Sequence, residues 1–207
     1  MEKTIDYYFA PLSPWSYLGH ERLGNIARKH FAKIDIKPID LVKIFSLTGG
    51  LPMAKRGPQR QKYRMVELAR WQKYLGMPLT LEPKYFPYDA SIASLLIIAA
   101  KEELGEKLAM LITSAIYKGC WVEDRNMGDP EELFAIVKAQ GLDAVSLLNA
   151  ARSDENVARY EALTEEALQR DVFAVPTYIY NDEPFWGQDR LDFLDRALEA
   201  QPKEPAA

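Results

Sequence analysis

The spacing of apolar residues changes several times along the chain, and each change marks an element. Residues 4–10, Thr-Ile-Asp-Tyr-Tyr-Phe-Ala, are mostly β-branched or aromatic and stop against Pro11 and Pro14, which predicts a buried strand. From Trp15 the period lengthens. Gly19, Leu23, Ile26 and Ala27 share one helical face while Glu21, Arg28 and Lys29 lie largely elsewhere, predicting a helix over 14–30. Ile34, Ile36 and Ile39 then alternate with Asp35, Lys37 and Asp40, so a second strand with one buried face is expected at about 33–39. The opening is a β-α-β unit. Its right-handed crossover makes the strands parallel and leaves the helix start at the carboxyl end of the first strand, where ligands dock in such folds.

Residues 41–58 carry Thr48-Gly49-Gly50-Leu51-Pro52 and Gly57-Pro58, breakers that predict a long surface connection. Met65, Leu68, Trp71 and Leu75 recur at helical spacing, predicting a helix over 58–75 that stops at Gly76 before Pro78. Its basic residues Arg60, Lys62, Arg64 and Arg70 read as a solvated face. Helices follow at about 89–103 and 105–118, then a turn from Asp124 to Gly128. Asp129-Pro130 serves as cap and first turn of the next helix, which sets Leu133, Ile136 and Val137 on one face, and further helices cover 143–151 and 154–171. Strands return only at the end, where Thr177-Tyr178-Ile179-Tyr180 and Pro184-Phe185-Trp186 flank Asn181-Asp182-Glu183 as a hairpin. Leu191, Leu194 and Leu198 mark a last helix, and 201–207 is a polar tail expected to fray. The order β-α-β, helical block, β-β-α is that of an α/β thioredoxin-like fold. Its domain comprises 1–41 and 173–200, interrupted by an all-helical insertion over 42–172.

Composition narrows the function classes. With 207 residues, 48% of them hydrophobic, the chain can bury one large core or a core plus a helical subdomain. A net charge of −4 offers no basic surface for nucleic acid or an acidic membrane. The single cysteine, Cys120, excludes an internal disulfide framework and reads as a buried small residue. The longest apolar-rich run, Ala90 to Ala100, falls short of the roughly 20 residues that cross a bilayer, and the first residues lack a secretion pattern, so a soluble cytoplasmic protein is expected. His20 and His30 lack metal-ligand spacing and read as structural. No Cys/His cluster, phosphate loop or Ser-His-Asp set is evident, so no metal is expected.

The candidate chemistry lies at Ser13-Pro14-Trp15-Ser16, where the first strand gives way to the first helix. Alone, that stretch is an ordinary cap: the serine hydroxyl accepts an orphan N–H, and proline in the first turn sacrifices no hydrogen bond. Four segments add to it. They are Tyr8-Phe9 leading into Ser13-Pro14-Trp15-Ser16-Tyr17-Leu18, Trp121-Val122-Glu123-Asp124-Arg125-Asn126, Val172-Phe173-Ala174-Val175-Pro176-Thr177, and Phe185-Trp186-Gly187-Gln188-Asp189-Arg190-Leu191. Across nearly its whole length the chain thereby resembles the DsbA-like thioredoxin-fold proteins. Within them it is most similar to the 2-hydroxychromene-2-carboxylate isomerases and the kappa-class glutathione transferases.

Ser13 and Ser16 stand where the redox members of that fold carry a Cys-x-x-Cys pair. A hydroxyl is a poor nucleophile at neutral pH and cannot cycle between redox states, so disulfide exchange is not expected. The helix start can still stabilise a thiolate brought by glutathione. The resemblance implies that the Ser13 hydroxyl donates to the glutathione sulfur and that Val175, before a cis Pro176, pairs with the peptide backbone. It further implies that Gly187, Gln188 and Asp189 hold the γ-glutamyl end beside Trp186. Lys43 is the residue it assigns to the substrate carboxylate and the developing enolate charge, with Tyr85 or Tyr88 lining the same pocket. Where the family usually shows Gly-Asn, this chain has Gly49-Gly50. The implied activity is a glutathione-dependent isomerisation of a chromene hemiketal to an open aryl pyruvate, in aromatic hydrocarbon breakdown, by a homodimer. A kappa-like transferase or thiol-dependent reductase is the alternative enzyme, and a non-catalytic thioredoxin-fold binding module the alternative of a different class.

Overall fold

Strand β1 (Thr4–Phe9) lies inside a four-stranded sheet of order β2-β1-β3-β4, in a computed structural model that describes residues 2–200. After β1 come α1 (Pro14–Lys29) and β2 (Lys33–Pro38), the latter pairing parallel with β1 in the register Phe9↔Pro38. The helical block comprises α2 (Leu41–Thr48), α3 (Pro58–Leu75), α4 (Ser91–Leu104), α5 (Glu106–Trp121), α6 (Pro130–Ala139), α7 (Ala144–Ala151) and α8 (Asp154–Gln169). The chain then closes with β3 (Thr177–Tyr180), β4 (Glu183–Trp186) and α9 (Leu191–Glu199). The β-α-β, helical block, β-β-α order is the expected one. The tail expected at 201–207 lies outside the described residues.

Both faces of β1 are covered, as a run of β-branched and aromatic residues broken only by Asp6 requires. Ile5, Tyr7 and Phe9 enter the larger core with Leu18 and Leu23 of α1, Ile116 of α5 and Leu194 of α9. Tyr8 and Ala10 enter a smaller core on the other side, with Ile44, Ala167, Val172, Val175 and Ile179. This division follows from the two-residue period of a strand.

Three sequence expectations change. The connection over 41–58 contains α2, capped by Asp40, whose carboxylate accepts the Val42 and Lys43 N–H groups at 2.9 and 3.0 Å. Burial of Ile44 holds this helix down, and Gly49 ends it in the left-handed conformation at φ +81°. In the hairpin, Glu183 belongs to β4, and the turn is the pair Asn181-Asp182 at φ +50° and +62°, the conformation of a two-residue hairpin turn. Lys37, set by the alternation on a solvated face, is only 7% exposed. Helix α8 crosses there, and the Lys37 ammonium lies 2.6 Å from Glu166, 3.1 Å from Asp6 and 3.1 Å from Asp35. A strand pattern cannot show that a helix from far along the chain will supply the carboxylate that allows a lysine to be buried.

Candidate functional site

Sheet register brings four distant segments to one edge. Antiparallel pairing of β1 with β3 sets Tyr8 opposite Thr177; continued, it places Pro176 beside Phe9 and Val175 beside Ala10. Pairing of β3 with β4 sets Thr177 opposite Trp186, and the Gly187 N–H donates to the Pro176 carbonyl at 2.8 Å. From the other side, the Ile39 N–H donates to the Phe9 carbonyl at 2.9 Å and leads into α2. Ser13, Val175-Pro176, Gly187-Gln188-Asp189 and the start of α2 therefore share the carboxyl end of β1.

Ser13 is the N-cap of α1. Its N–H donates to the Ala10 carbonyl at 2.9 Å, and its Oγ accepts the Ser16 N–H at 3.2 Å. Among the described residues its hydroxyl proton is given to no acceptor, so it is available to one at the positive end of a 16-residue helix. Ser16 has turned inward: it is fully buried, with Oγ unpartnered. It neighbours two buried phenols, Tyr7 and Tyr117, whose hydroxyls lie 3.4 Å apart and are held protonated by burial. His20, one turn further, donates its Nε2–H to the Met110 carbonyl at 3.0 Å, and burial pulls its imidazole down to about 4. It is neutral at pH 7 and takes no charge into the site.

The Val175–Pro176 peptide is cis. Among the described residues the Val175 N–H and C=O make no backbone hydrogen bond, leaving one strand-like edge open. Trp186 is half-exposed and meets Phe173 edge-on at 4.8 Å. Asp189 lies one residue past a buried Gln188, with its carboxylate partly exposed and 2.8 Å from Arg190 Nη1. Gln188 itself faces α1. Its side-chain Oε1 and backbone oxygen both accept from Arg22 Nη1, at 2.7 and 3.0 Å, so Arg22 locks this loop to the helix. Two glycines permit the approach. A Cβ on Gly19 would lie 2.5 Å from the Tyr178 hydroxyl and 3.0 Å from Gln188 Cβ, and Gly187, at φ +100°, would place one 2.4 Å from Asp189 Oδ1. Arg22 and Gly19 were missed as site residues because their partners lie more than about 150 positions away; Gly19 on an otherwise apolar helix face was the one visible sign.

The residues expected on the second-substrate side come from separate segments, Lys43 from α2 and Tyr85 and Tyr88 from the connection between α3 and α4. Lys43, on α2, ends 2.5 Å from Glu165 of α8, and that hydrogen bond holds its ammonium above the usual lysine range. Tyr85 is partly exposed, with the Lys84 ammonium 4.8 Å from its ring centroid. Tyr88 packs against the larger core with its hydroxyl buried and unpartnered. Arg64, read as part of a solvated helix face, is half-buried, its guanidinium carbon 5.4 Å from the Phe86 ring centroid. Cys120 is buried, and burial pushes its thiol up to about 12, so it adds no reactive sulfur. His30, Asp195 and Glu199 converge at the far end of α1, around the Lys29 ammonium, which lies 3.0 Å from Asp195 Oδ2 and 2.7 Å from Glu199. That ammonium already supplies the cationic partner.

The family model described as the DSBA-like thioredoxin domain matches residues 4–199. The 2-hydroxychromene-2-carboxylate isomerase of Sphingobium xenophagum is 33% identical over 96% of this chain and 99% of its own. That of Pseudomonas putida is 31% identical over 94% of this chain and 93% of its own. Glutathione S-transferase kappa 1 of Rattus norvegicus is 18% identical over 93% of this chain and 89% of its own. Among solved structures, a 2-hydroxychromene-2-carboxylate isomerase superposes with a TM-score of 0.82 at 29% identity, covering 95% of this chain and 94% of that one. The cytosolic disulfide reductase DsbM of Pseudomonas aeruginosa, solved with GSH, superposes at 0.68 with 16% identity, covering 95% and 100%.

Proposed function

We propose, for a chain that belongs to the DSBA-like thioredoxin domain family and within it to the 2-hydroxychromene-2-carboxylate isomerases, a glutathione-dependent isomerisation. It interconverts 2-hydroxychromene-2-carboxylate-type hemiketals and trans-o-hydroxybenzylidenepyruvate-type open forms. Relatives of that name support an isomerase. Glutathione is supported by the kappa-class transferases among the relatives, by the GSH bound to DsbM, and by the fit of the site. An extended tripeptide bearing a thiol and an ammonium requires a hydroxyl donor, an open backbone edge and a carboxylate. Ser13, Val175 and Asp189 supply those three at one end of the sheet.

The observation that carries the reading is the Ser13 hydroxyl. Its oxygen is engaged as a cap by the Ser16 N–H while its proton is uncommitted, at the positive end of α1. A hydrogen bond given to a thiolate favours the charged form and lowers the pKa of the thiol. Pro176 and the Gly187 N–H fix the position of Val175, whose N–H and C=O take a peptide as an added strand. Asp189 receives the α-ammonium, with Gln188 and Arg22 bracing the loop beneath it and Trp186 beside it. The chemistry glutathione supplies when bound is a thiolate that adds reversibly to the conjugated alkene, so that the bond can rotate, with no net redox change.

Turnover of 2-hydroxychromene-2-carboxylate, followed by absorbance with catalytic glutathione, tests this. Product formation without thiol loss is the expected result. Stoichiometric loss of thiol assigns the site instead to conjugation or thiol-dependent reduction, and absence of glutathione binding leaves only a binding module. A reducing, cytoplasmic location and a homodimer complete the proposal. No helix among the described residues is long and apolar enough to cross a membrane.

A further inference from the structure

Gln188 is a polar side chain only 2% exposed, in the short turn between β4 and α9, and α1 is what buries it. Arg22 Nη1 donates to the Gln188 backbone oxygen at 3.0 Å and to its side-chain Oε1 at 2.7 Å. Three residues earlier on the same helix face, Gly19 leaves the space in which Gln188 sits: a Cβ there would lie 3.0 Å from Gln188 Cβ and 2.5 Å from the Tyr178 hydroxyl. Notch and clamp are one turn apart, and they grip the loop between them. The ion pair Arg22 makes with Asp192, at 3.4 Å from Nη2 to a largely exposed carboxylate, is a weak surface contact. The guanidinium is committed to the loop.

Position along the helix gives this contact its consequence. Ser13 caps α1, and Arg22 lies about 14 Å further along the axis at 1.5 Å per residue, with a side chain that leans back toward the helix start. One rigid element therefore fixes the hydroxyl of Ser13 at its first turn and, through Arg22, the segment that carries Asp189. Asp189 has no hold of its own on α1. Among the described residues its side chain reaches only its neighbour Arg190, at 2.8 Å, so its place relative to Ser13 is set by the residue before it.

Building on the glutathione-dependent reading, we infer that Arg22 is a positioning residue that makes the site selective for γ-glutamyl thiols. By holding Gln188 in the notch at Gly19, it keeps the Asp189 carboxylate at a fixed reach from Ser13. A thiol that carries a γ-glutamyl ammonium is then bound at both ends at once, while a thiol without one is bound at its sulfur and peptide alone. A loop already ordered by α1 costs less to close on the ligand. Arg22 stands more than two turns from the helix start, so the ionisation of the bound thiol stays under the control of Ser13.

Calorimetry of the whole protein with glutathione, γ-glutamylcysteine and N-acetyl-cysteinylglycine, which keeps thiol and peptide but lacks the ammonium, is run on wild type, Arg22→Met and Gly19→Ala. Ultraviolet titration reads the thiol pKa of bound glutathione in each. Wild type is expected to prefer the two γ-glutamyl thiols. In both variants their affinity is expected to fall about tenfold or more, as loss of a charge-assisted hydrogen bond implies, while N-acetyl-cysteinylglycine binding and the bound thiol pKa keep their wild-type values. The variants disturb Gln188 from different sides, one by removing the clamp and one by filling the notch, so if either folds poorly the other decides. A purely structural role for Arg22 lowers all three affinities together, or lowers Tm and leaves the preference intact; either result overturns the inference. So does a wild type that binds all three thiols alike. Absence of binding by every thiol overturns the glutathione reading and the inference with it. Arg22-dependent selectivity in a protein that does not turn over the chromene carboxylate sinks the isomerase reading and leaves the inference standing.

Discussion

Replacing Ser13 by alanine separates two roles that one oxygen atom plays. As a cap, Oγ accepts the Ser16 N–H at 3.2 Å, and losing that bond costs about 1 kcal/mol. In a domain of this size each kcal/mol corresponds to roughly 2–4 °C in Tm, so Ser13→Ala is expected to melt about 2–4 °C lower. As a donor, the hydroxyl stabilises a bound thiolate by about 1.5–3 kcal/mol. At about 1.4 kcal/mol per pKa unit, its removal raises the pKa of bound glutathione by roughly 1–2 units. The sign follows because the lost donor favoured the charged form. Ser13→Asp keeps an acceptor for the Ser16 N–H and should recover the Tm, yet its negative charge raises the thiol pKa further still. Ultraviolet titration of thiolate in the glutathione complex, with calorimetric melting of the same three proteins, reads both effects. A bound thiol pKa that is the same in wild type and Ser13→Ala would refute the assignment of Ser13 as the thiolate donor, whatever happened to Tm.

Three other outcomes are expected. Gly187→Ala forces an L side chain to φ +100° and 2.4 Å from Asp189 Oδ1, so glutathione affinity should fall at least tenfold while the Asp189→Asn variant loses affinity without loss of stability; equal binding by Gly187→Ala speaks against a role for this loop. Lys37→Met strips the ammonium from Glu166, Asp6 and Asp35 and should cost about 2–3 kcal/mol at pH 7 by urea unfolding, Arg170 and Lys101 still neutralising Asp6 and Asp35. Burial raises the Glu166 carboxyl, but hydrogen bonds from Lys37 and Tyr8 outweigh it and hold it below the ordinary range, so the stability it lends is present above pH ~4.5 and lost as pH falls through its folded value; the deficit of Lys37→Met must therefore shrink in acid. Cys120, buried with its thiol pushed up to about 12, should react with a maleimide only on unfolding, and rapid labelling of the native protein would contradict its place in the core.

Most of the fold was legible because it rests on periodicity. The strand over 4–10, the helices at 14–30 and 58–75, and the closing hairpin each announce themselves by the spacing of apolar residues and by breakers at their ends, and the structure places them within a residue or two. Helix α2 was hidden by Gly49-Gly50 and two prolines downstream, although Asp40 before Leu41 and Val42 was its cap in plain view. Of the candidate site, the Ser13 cap and the Val175-Pro176 pair are readings of local chemistry joined to resemblance. The burial of Arg64 and Lys37 was not legible. Both look like solvated charges on a one-dimensional pattern, but one lies over Phe86 in the loop that follows its helix and the other is covered by α8, its partner Glu166 lying 129 positions on.

By itself the sequence determined that β1 is buried on both sides, that α1 starts at a serine cap beside its carboxyl end, and that no thiol pair is there to exchange disulfides. These follow from side-chain type and local spacing, which act over a few residues. Tertiary structure alone decided which charges are spent and which are free. Lys43 and Arg64 are both cations in helical segments, but one meets Glu165 across the α2–α8 contact while the other rests on an aromatic ring and, among the described residues, forms no ion pair. A charge is neutralised or left open by what comes within a few ångströms of it, and that is set by packing between segments some 120 positions apart as much as by neighbours in the chain.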